Sequence, residues 1–169
     1  MFREMRRKKQ LLSKKECVQI LENGTHGVFA VSGDDGYPYA VPLSYVFDGE
    51  KIYFHCAKSG HKLDAVKRNC KASFCVVAQD EIIPERFTTH YKSVIVFGKV
   101  KVIDDDEKKF SAILKLAEKY CSNLDDDIIK KEIENEWSPL LMLEMAVDHM
   151  TAKASKELVI NNKTGDYNE

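Results

Sequence analysis

The chain has 169 residues, of which 44% are hydrophobic, and a formal net charge of -1. That length and apolar content suit one domain with a core of its own. A pI of about 6.5 gives no global basic field for nucleic acid, and no apolar run approaches the length that crosses a bilayer.

The chain opens on MFREMRRKKQ, five basic residues beside Glu4. No apolar h-region follows, so no secretory signal is expected, and the segment reads as a solvated terminus. The five cysteines, Cys17, Cys56, Cys70, Cys75 and Cys121, are odd in number and form no CxxC. Reduced thiols and a cytoplasmic location are the expectation.

Leu12-Ser13-x-x-Glu16-Cys17 predicts a helix start. Ser13 caps the Glu16 amide, Glu16 reaches back, and Leu12 and Cys17 staple the entry. Cys17, Ile20 and Leu21 make its buried stripe, and Asn23-Gly24 ends it. The period then changes to two. HGVFAVS (26–32), YAVPLSYVF (39–47) and KIYFHCA (51–57) read as strands, joined by GDDGYP (33–38) and an Asp48-Gly49 hairpin turn. Pro42 cannot donate to a ladder, so it marks an edge, a bulge or a ligand-facing gap.

IYFHCAKSGHKLDAV (52–66) runs from strand into a short helix carrying Leu63 and Val66. KASFCVVA (71–78) and KSVIVFGKVKVI (92–103) add two strands. EKKFSAILKLAEKYC is an amphipathic helix, with Phe110, Ile113, Leu114 and Ala117 at i, i+3, i+4, i+7. A second helix spans roughly 126–137, and Pro139 stops it. LLMLEMAV (140–147) is the last strand. Six strands with short turns predict a mainly β fold, an antiparallel barrel with peripheral helices. Residues 1–158 are expected to form the single domain, with a loose polar tail at 159–169.

The KSGHK junction carries the most chemistry. Ser59 is placed to cap the following helix, which makes Gly60, His61 and Lys62 its first turn. First-turn amides have no intrahelical partner and sit at the positive end of the helix dipole. Gly60 lets an anion approach the backbone, and Lys58, Lys62 and His61 add charge and donors. An anion site, best suited to phosphate, is one reading. An ordinary capped helix with solvated lysines is the other. GxxxxGK[ST] is absent, so this is no P-loop.

The order and spacing of several segments resemble the pyridoxamine 5'-phosphate oxidase-like flavoproteins with a split β-barrel, and within them the nitroimidazole-resistance (Nim) branch. RRKKQLLSKKE, GYPYAVPLSYVFD followed by KIYFHCAKSGHKLDAVKRN, YKSVIVFGKVKVID and HMTAK carry the resemblance over about residues 5 to 157. It implies a six-stranded antiparallel split barrel that binds FMN at a homodimer interface. Gly60, His61 and Lys62 match the segment that holds the FMN phosphate, and Lys58 and Ser59 before them are further cofactor-binding candidates. Val41, Pro42, Leu43 and Ser44 match the strand beside the isoalloxazine ring. His55, Cys56 and Ala57 match the strand end at the pyrimidine edge. Tyr91, Ser93 and Lys153 are candidates from the second subunit. Ala152 stands where the branch usually shows glycine, and Cys70 where the family usually has proline.

His55 matches the flavin-facing histidine of the branch. Its side chain can donate a proton as hydride reaches a substrate, or only hydrogen-bond the ring. Cys56 reads as a small buried hydrophobe on the opposite strand face. Adjacent strand residues diverge, which argues against a metal shared by His55, Cys56 and His61. His26, His90 and His149 read as structural or surface residues. The resemblance implies reduction of a small-molecule acceptor such as a nitroimidazole, with NAD(P)H or a reduced carrier as donor. No GxGxxG is present, so a nicotinamide would bind transiently. Pyridoxamine-phosphate oxidation, or non-enzymatic flavin or haem binding, are the alternatives.

Overall fold

In the computed structural model, which describes residues 1–165 with side chains through 160, the period-two segments pair into one sheet of seven antiparallel strands. The strands are β1 (His26–Ser32), β2 (Pro38–Ser44), β3 (Val46–Phe47), β4 (Lys51–Ala57), β5 (Lys71–Ile83), β6 (Thr88–Val102) and β7 (Leu140–Ala154), in the order β2-β1-β5-β6-β7-β4-β3. One face of each strand is apolar and turns inward. Phe29, Phe54, Phe74, Val94, Val96 and Leu143 are all fully buried there. Strands β1 and β4 are far apart in the sheet order, yet the Phe29 and Phe54 rings lie 5.2 Å apart. The sheet has therefore curled around its own core, as a barrel does. Phe74 closes the cluster at 5.1 Å from Phe54 and 4.8 Å from Tyr45.

The predicted strand 39–47 is broken, which gives seven strands where six were expected. The break falls at Tyr45, a fully buried residue. Its amide donates to the Tyr120 hydroxyl at 3.0 Å, and its carbonyl accepts from the same hydroxyl at 2.9 Å. Its own hydroxyl donates to the Leu21 carbonyl at 2.8 Å. A side chain thus satisfies the backbone that a neighbouring strand would otherwise pair.

Helices cover parts of the barrel: α1 (Lys14–Asn23), α2 (His61–Arg68), α3 (Asp106–Tyr120), α4 (Asp126–Glu136) and α5 (Lys156–Gly165). The capping box at Ser13 and Glu16 forms as predicted. Strands β5 and β6 run past the expected ends at 78 and 92, building an arm that turns at Pro84–Arg86. The arm exposes Ile82 and Phe87, so its sequence shows no apolar alternation. Strand β7 likewise continues to Ala154, and α5 carries the chain through Gly165 where a loose tail was expected from 159. On α3 the buried stripe is shifted from the predicted one: Lys109, Ala112 and Leu116 are buried, while Phe110 is exposed. A lysine fits the stripe because its stem packs inward while Nζ donates to the Trp137 carbonyl at 3.1 Å and sits 3.7 Å from the indole centroid. No helix among the described residues is long and apolar enough to cross a membrane. The five cysteines are free thiols.

The Tyr120 hydroxyl ties α3 to the strand break, accepting from the Tyr45 amide and sharing its proton between the Tyr45 and Thr25 carbonyls, so Tyr120→Phe leaves a buried amide without its partner. Urea unfolding should show a loss of about 1–3 kcal/mol. A change under about 0.5 kcal/mol would mean that the break is held by packing alone.

Candidate functional site

Strand β4 places the first group. Ile52, Phe54 and Cys56 turn into the core, so Tyr53, His55 and Ala57 turn outward. Burial pushes the Cys56 thiol up, opposed in part by the Lys62 charge, so it is an inert core residue at neutral pH. His55 reaches solvent, yet partial burial pushes its pKa below the usual imidazole value, and the Lys62 ammonium adds to that shift.

After Ala57 the exposed residues Lys58, Ser59 and Gly60 turn the chain into α2. Gly60, not Ser59, takes the N-cap position, at φ 125° and ψ 163°, and no side chain caps the helix. Only glycine adopts that conformation at low cost. The Gly60 carbonyl accepts from the Leu63 amide at 3.0 Å and the Asp64 amide at 3.1 Å. The His61 and Lys62 amides lie ahead of that turn and have no helical carbonyl to bond. In α1 and α3, Ser13 and Asp105 accept from first-turn amides. At α2, as at α4, no side chain takes that role, and a Cβ built on Gly60 would meet nothing within 4 Å. The His61 ring stacks on Tyr39 at 4.1 Å, with Nε2 3.4 Å from Asp34, whose other oxygen is 2.5 Å from Arg68. The His61 side chain therefore braces α2 against the β1–β2 turn. That side chain is thus engaged within the fold, while Lys58 is exposed and Lys62 half-buried.

The β2 residues divide by face. Val41 and Leu43 pack on the barrel core, while Pro42 and Ser44 turn outward, in register with Val28 and His26. Strand β2 is an edge of the sheet, which is where a proline is tolerated.

Tyr91, Ser93 and Lys153 do come together. Ser93 pairs with Lys153 across β6 and β7, and Lys153 Nζ is 5.1 Å from the Tyr91 ring centroid. They do not meet His55 within one chain. His55 pairs with Met142 and Ser93 with Lys153, which are eleven residues apart on β7 (153 − 142). At about 3.3 Å per residue this is roughly 35 Å of strand.

Two features were not read from the sequence. The outward face of the sheet is apolar across four strands, in the registered row Pro42, Val28, Cys75, Ile95, which Thr151 continues on β7. Val28, Val77, Ile95 and Phe97 are 42%, 59%, 38% and 38% exposed on it, an unusual concentration for a solvated face. The signal was present: β1, β5 and β6 carry apolar residues at both parities. The second feature is an apolar groove of about 650 Å³ between β4, α3 and α4, lined on its strand side by His55, Cys56 and Ala57. A cleft of similar size, about 640 Å³, lies between α1 and the bulge in β5, but none of the predicted site residues line it.

The sequence model of the pyridoxamine 5'-phosphate oxidase family matches residues 13–154. The chain belongs to this family. No curated protein matches the sequence. Among solved structures, a candidate 5-nitroimidazole antibiotic resistance protein from Bacteroides thetaiotaomicron superposes with a TM-score of 0.71 at 19% identity, over 85% of this chain and 86% of that one. An FAD and heme binding protein from Mycobacterium smegmatis gives 0.70 at 22%, over 91% and 80%. A conserved hypothetical protein from Mycobacterium tuberculosis gives 0.77 at 18%, over 91% and 92%. At these identities the likeness establishes the shared fold of this oxidase family.

Because the Lys62 charge helps to hold the His55 pKa down, removing or neutralising it should raise that pKa. Imidazole titration by NMR should show His55 protonating at higher pH in Lys62→Ala than in wild type. Inorganic phosphate should shift wild type the same way. An unchanged His55 titration in Lys62→Ala would show that the two groups are not coupled.

Proposed function

We propose that this protein is a homodimeric FMN-binding oxidoreductase that reduces small organic acceptors, nitroimidazoles among them. The observation that carries the reading is the α2 start: an uncapped helix opened by a positive-φ glycine and flanked by Lys58 and Lys62, a few residues after His55, in a member of this family. The donor set fits a phosphate monoester. The amides of His61 and Lys62 would bind it, Lys58 and Lys62 would neutralise it, and Gly60 leaves it room. Pro42, Ser44 and the free edge of β2 would flank the ring, with Ala57 at the strand end. The flavin, when bound, supplies the hydride chemistry, and NAD(P)H or a reduced carrier recharges it.

His55 then acts beside the ring as proton donor to the acceptor. A bound phosphate offsets the Lys62 charge, so cofactor binding moves the imidazole back toward its ordinary pKa and raises the fraction protonated and able to donate near neutral pH. The homodimer is supported by the separation along β7. Tyr91, Ser93 and Lys153 of one protomer can complete the site of its partner, with the apolar rows of the sheets packed together. A cytoplasmic flavoprotein is the consistent setting for five free thiols.

Lys62→Ala should weaken FMN by roughly ten- to a hundredfold, matching about 1.5–3 kcal/mol for a charge-assisted contact, and riboflavin far less. Fluorescence titration with both flavins makes the comparison. Equal losses would mean that Lys62 acts on the fold and not on the phosphate.

Light scattering should report about twice the 19.3 kDa chain mass. Ile95→Arg, on the apolar row, should give a folded monomer that has lost FMN. A monomeric variant that keeps FMN affinity would place the whole site within one chain.

A further inference from the structure

The groove beside His55 has the volume of a small-molecule pocket, about 650 Å³. Its walls are built by helical periodicity. Strand-facing Ile113, Leu116, Ala117 and Tyr120 on α3 stand at i, i+3, i+4 and i+7, and Ile129 and Ile133 on α4 at i and i+4. The lining is apolar on these sides and acidic at its rim, where Glu132 and Glu136 follow Ile128 at successive turns of α4. No lysine or arginine lines it among the described residues. The cationic junction, Lys58 and Lys62, lies on the chain beyond His55. His55, Cys56 and Ala57 line the groove on its β4 side, and the cationic junction begins at the next residue, so the groove abuts the segment suited to a phosphate.

We propose that this groove is the acceptor pocket, and that it takes planar uncharged or cationic aromatic molecules while excluding carboxylates and phosphates. The assignment rests on His55 being the residue that faces bound flavin, since a ligand in the groove then reaches the ring past that side chain. The apolar walls reward a flat ring by burial. The two rim carboxylates penalise an anion both by repulsion and by leaving its charge without a partner. A substrate that carries its own phosphate is therefore excluded from the groove, whatever its ring.

Three probes of one shape separate charge from size: 4-nitrobenzamide, 4-nitrobenzylamine and 4-nitrobenzoate. Binding to the FMN-loaded dimer is read by NMR of isoleucine methyl groups. The shifts should fall on Ile113, Ile128, Ile129 and Ile133, and the amide and the amine should bind about tenfold or more tighter than the benzoate. The double variant Glu132→Gln/Glu136→Gln should bring the benzoate to within about threefold of the amide. Both positions are exposed, so the fold should persist. Ala117→Trp, which fills the groove, should weaken all three probes while the FMN content of the protein stays constant. Equal affinity for benzoate and amide, shifts at other isoleucines, or undiminished binding to the filled variant would each overturn the proposal. Absence of flavin uptake with the same methyl shifts would refute the flavin reading and leave the ligand class of the groove standing.

Discussion

Everything at the candidate site follows from the alternation of one strand. Phe54 must face inward, because it closes an aromatic cluster with Phe29 and Phe74 that holds the curled sheet together. With Phe54 and Cys56 committed to the core, His55 can only face out. A slip of one residue in the pairing of β4 with β7 would bury the imidazole and expose the phenyl ring. The same pairing fixes where β4 ends, hence where Gly60 can open α2. Core packing, the outward side of His55 and the start of α2 are therefore set by one register.

Around that strand the molecule keeps unlike environments apart at short range. The inward side of β4 is apolar and holds a thiol whose ionisation is suppressed. The outward side passes from a cationic turn to an acid-rimmed apolar groove within a few residues of chain. Helices α3 and α4 make that groove, and they are held in part by Tyr120 at the break between β2 and β3. The defect in the sheet is thus an anchor for the helix that walls the pocket, and loss of regular pairing at Tyr45 is compensated by a hydroxyl from a distant element.

Much of this was legible in the residues, and the failures have physical causes. The capping box at Ser13 and Glu16, the strand at 26–32, the strand at 51–57 and the outward side of His55 follow from local periodicity and short-range bonding. The helix cap did not: Ser59 has the right chemistry, but Gly60 can take φ 125°, and backbone conformation decided the position. The break at Tyr45 depends on a tyrosine 75 residues away, which no window around residue 45 contains. The arm of β5 and β6 was cut short because its exposed strands carry no alternation. The phase of α3 was misjudged because a buried lysine disguised the stripe, its charge being satisfied by the Trp137 carbonyl and ring. The groove needed two helices and a strand end at once, so neither helix alone announced it.

The distance between the His55 and Lys153 groups along β7 bears on genetics as much as on chemistry. If each site draws one group from each protomer, damage to the two groups lies on different faces of the assembly. A cell carrying one allele defective at the phosphate segment and another defective at Tyr91 or Lys153 would assemble mixed dimers in which one of the two sites receives both intact halves. Such alleles would complement each other although neither chain works alone. Two alleles within the same group would not. With sites shared in that way, the separation of the two groups along one strand would divide the gene into two classes of lesion.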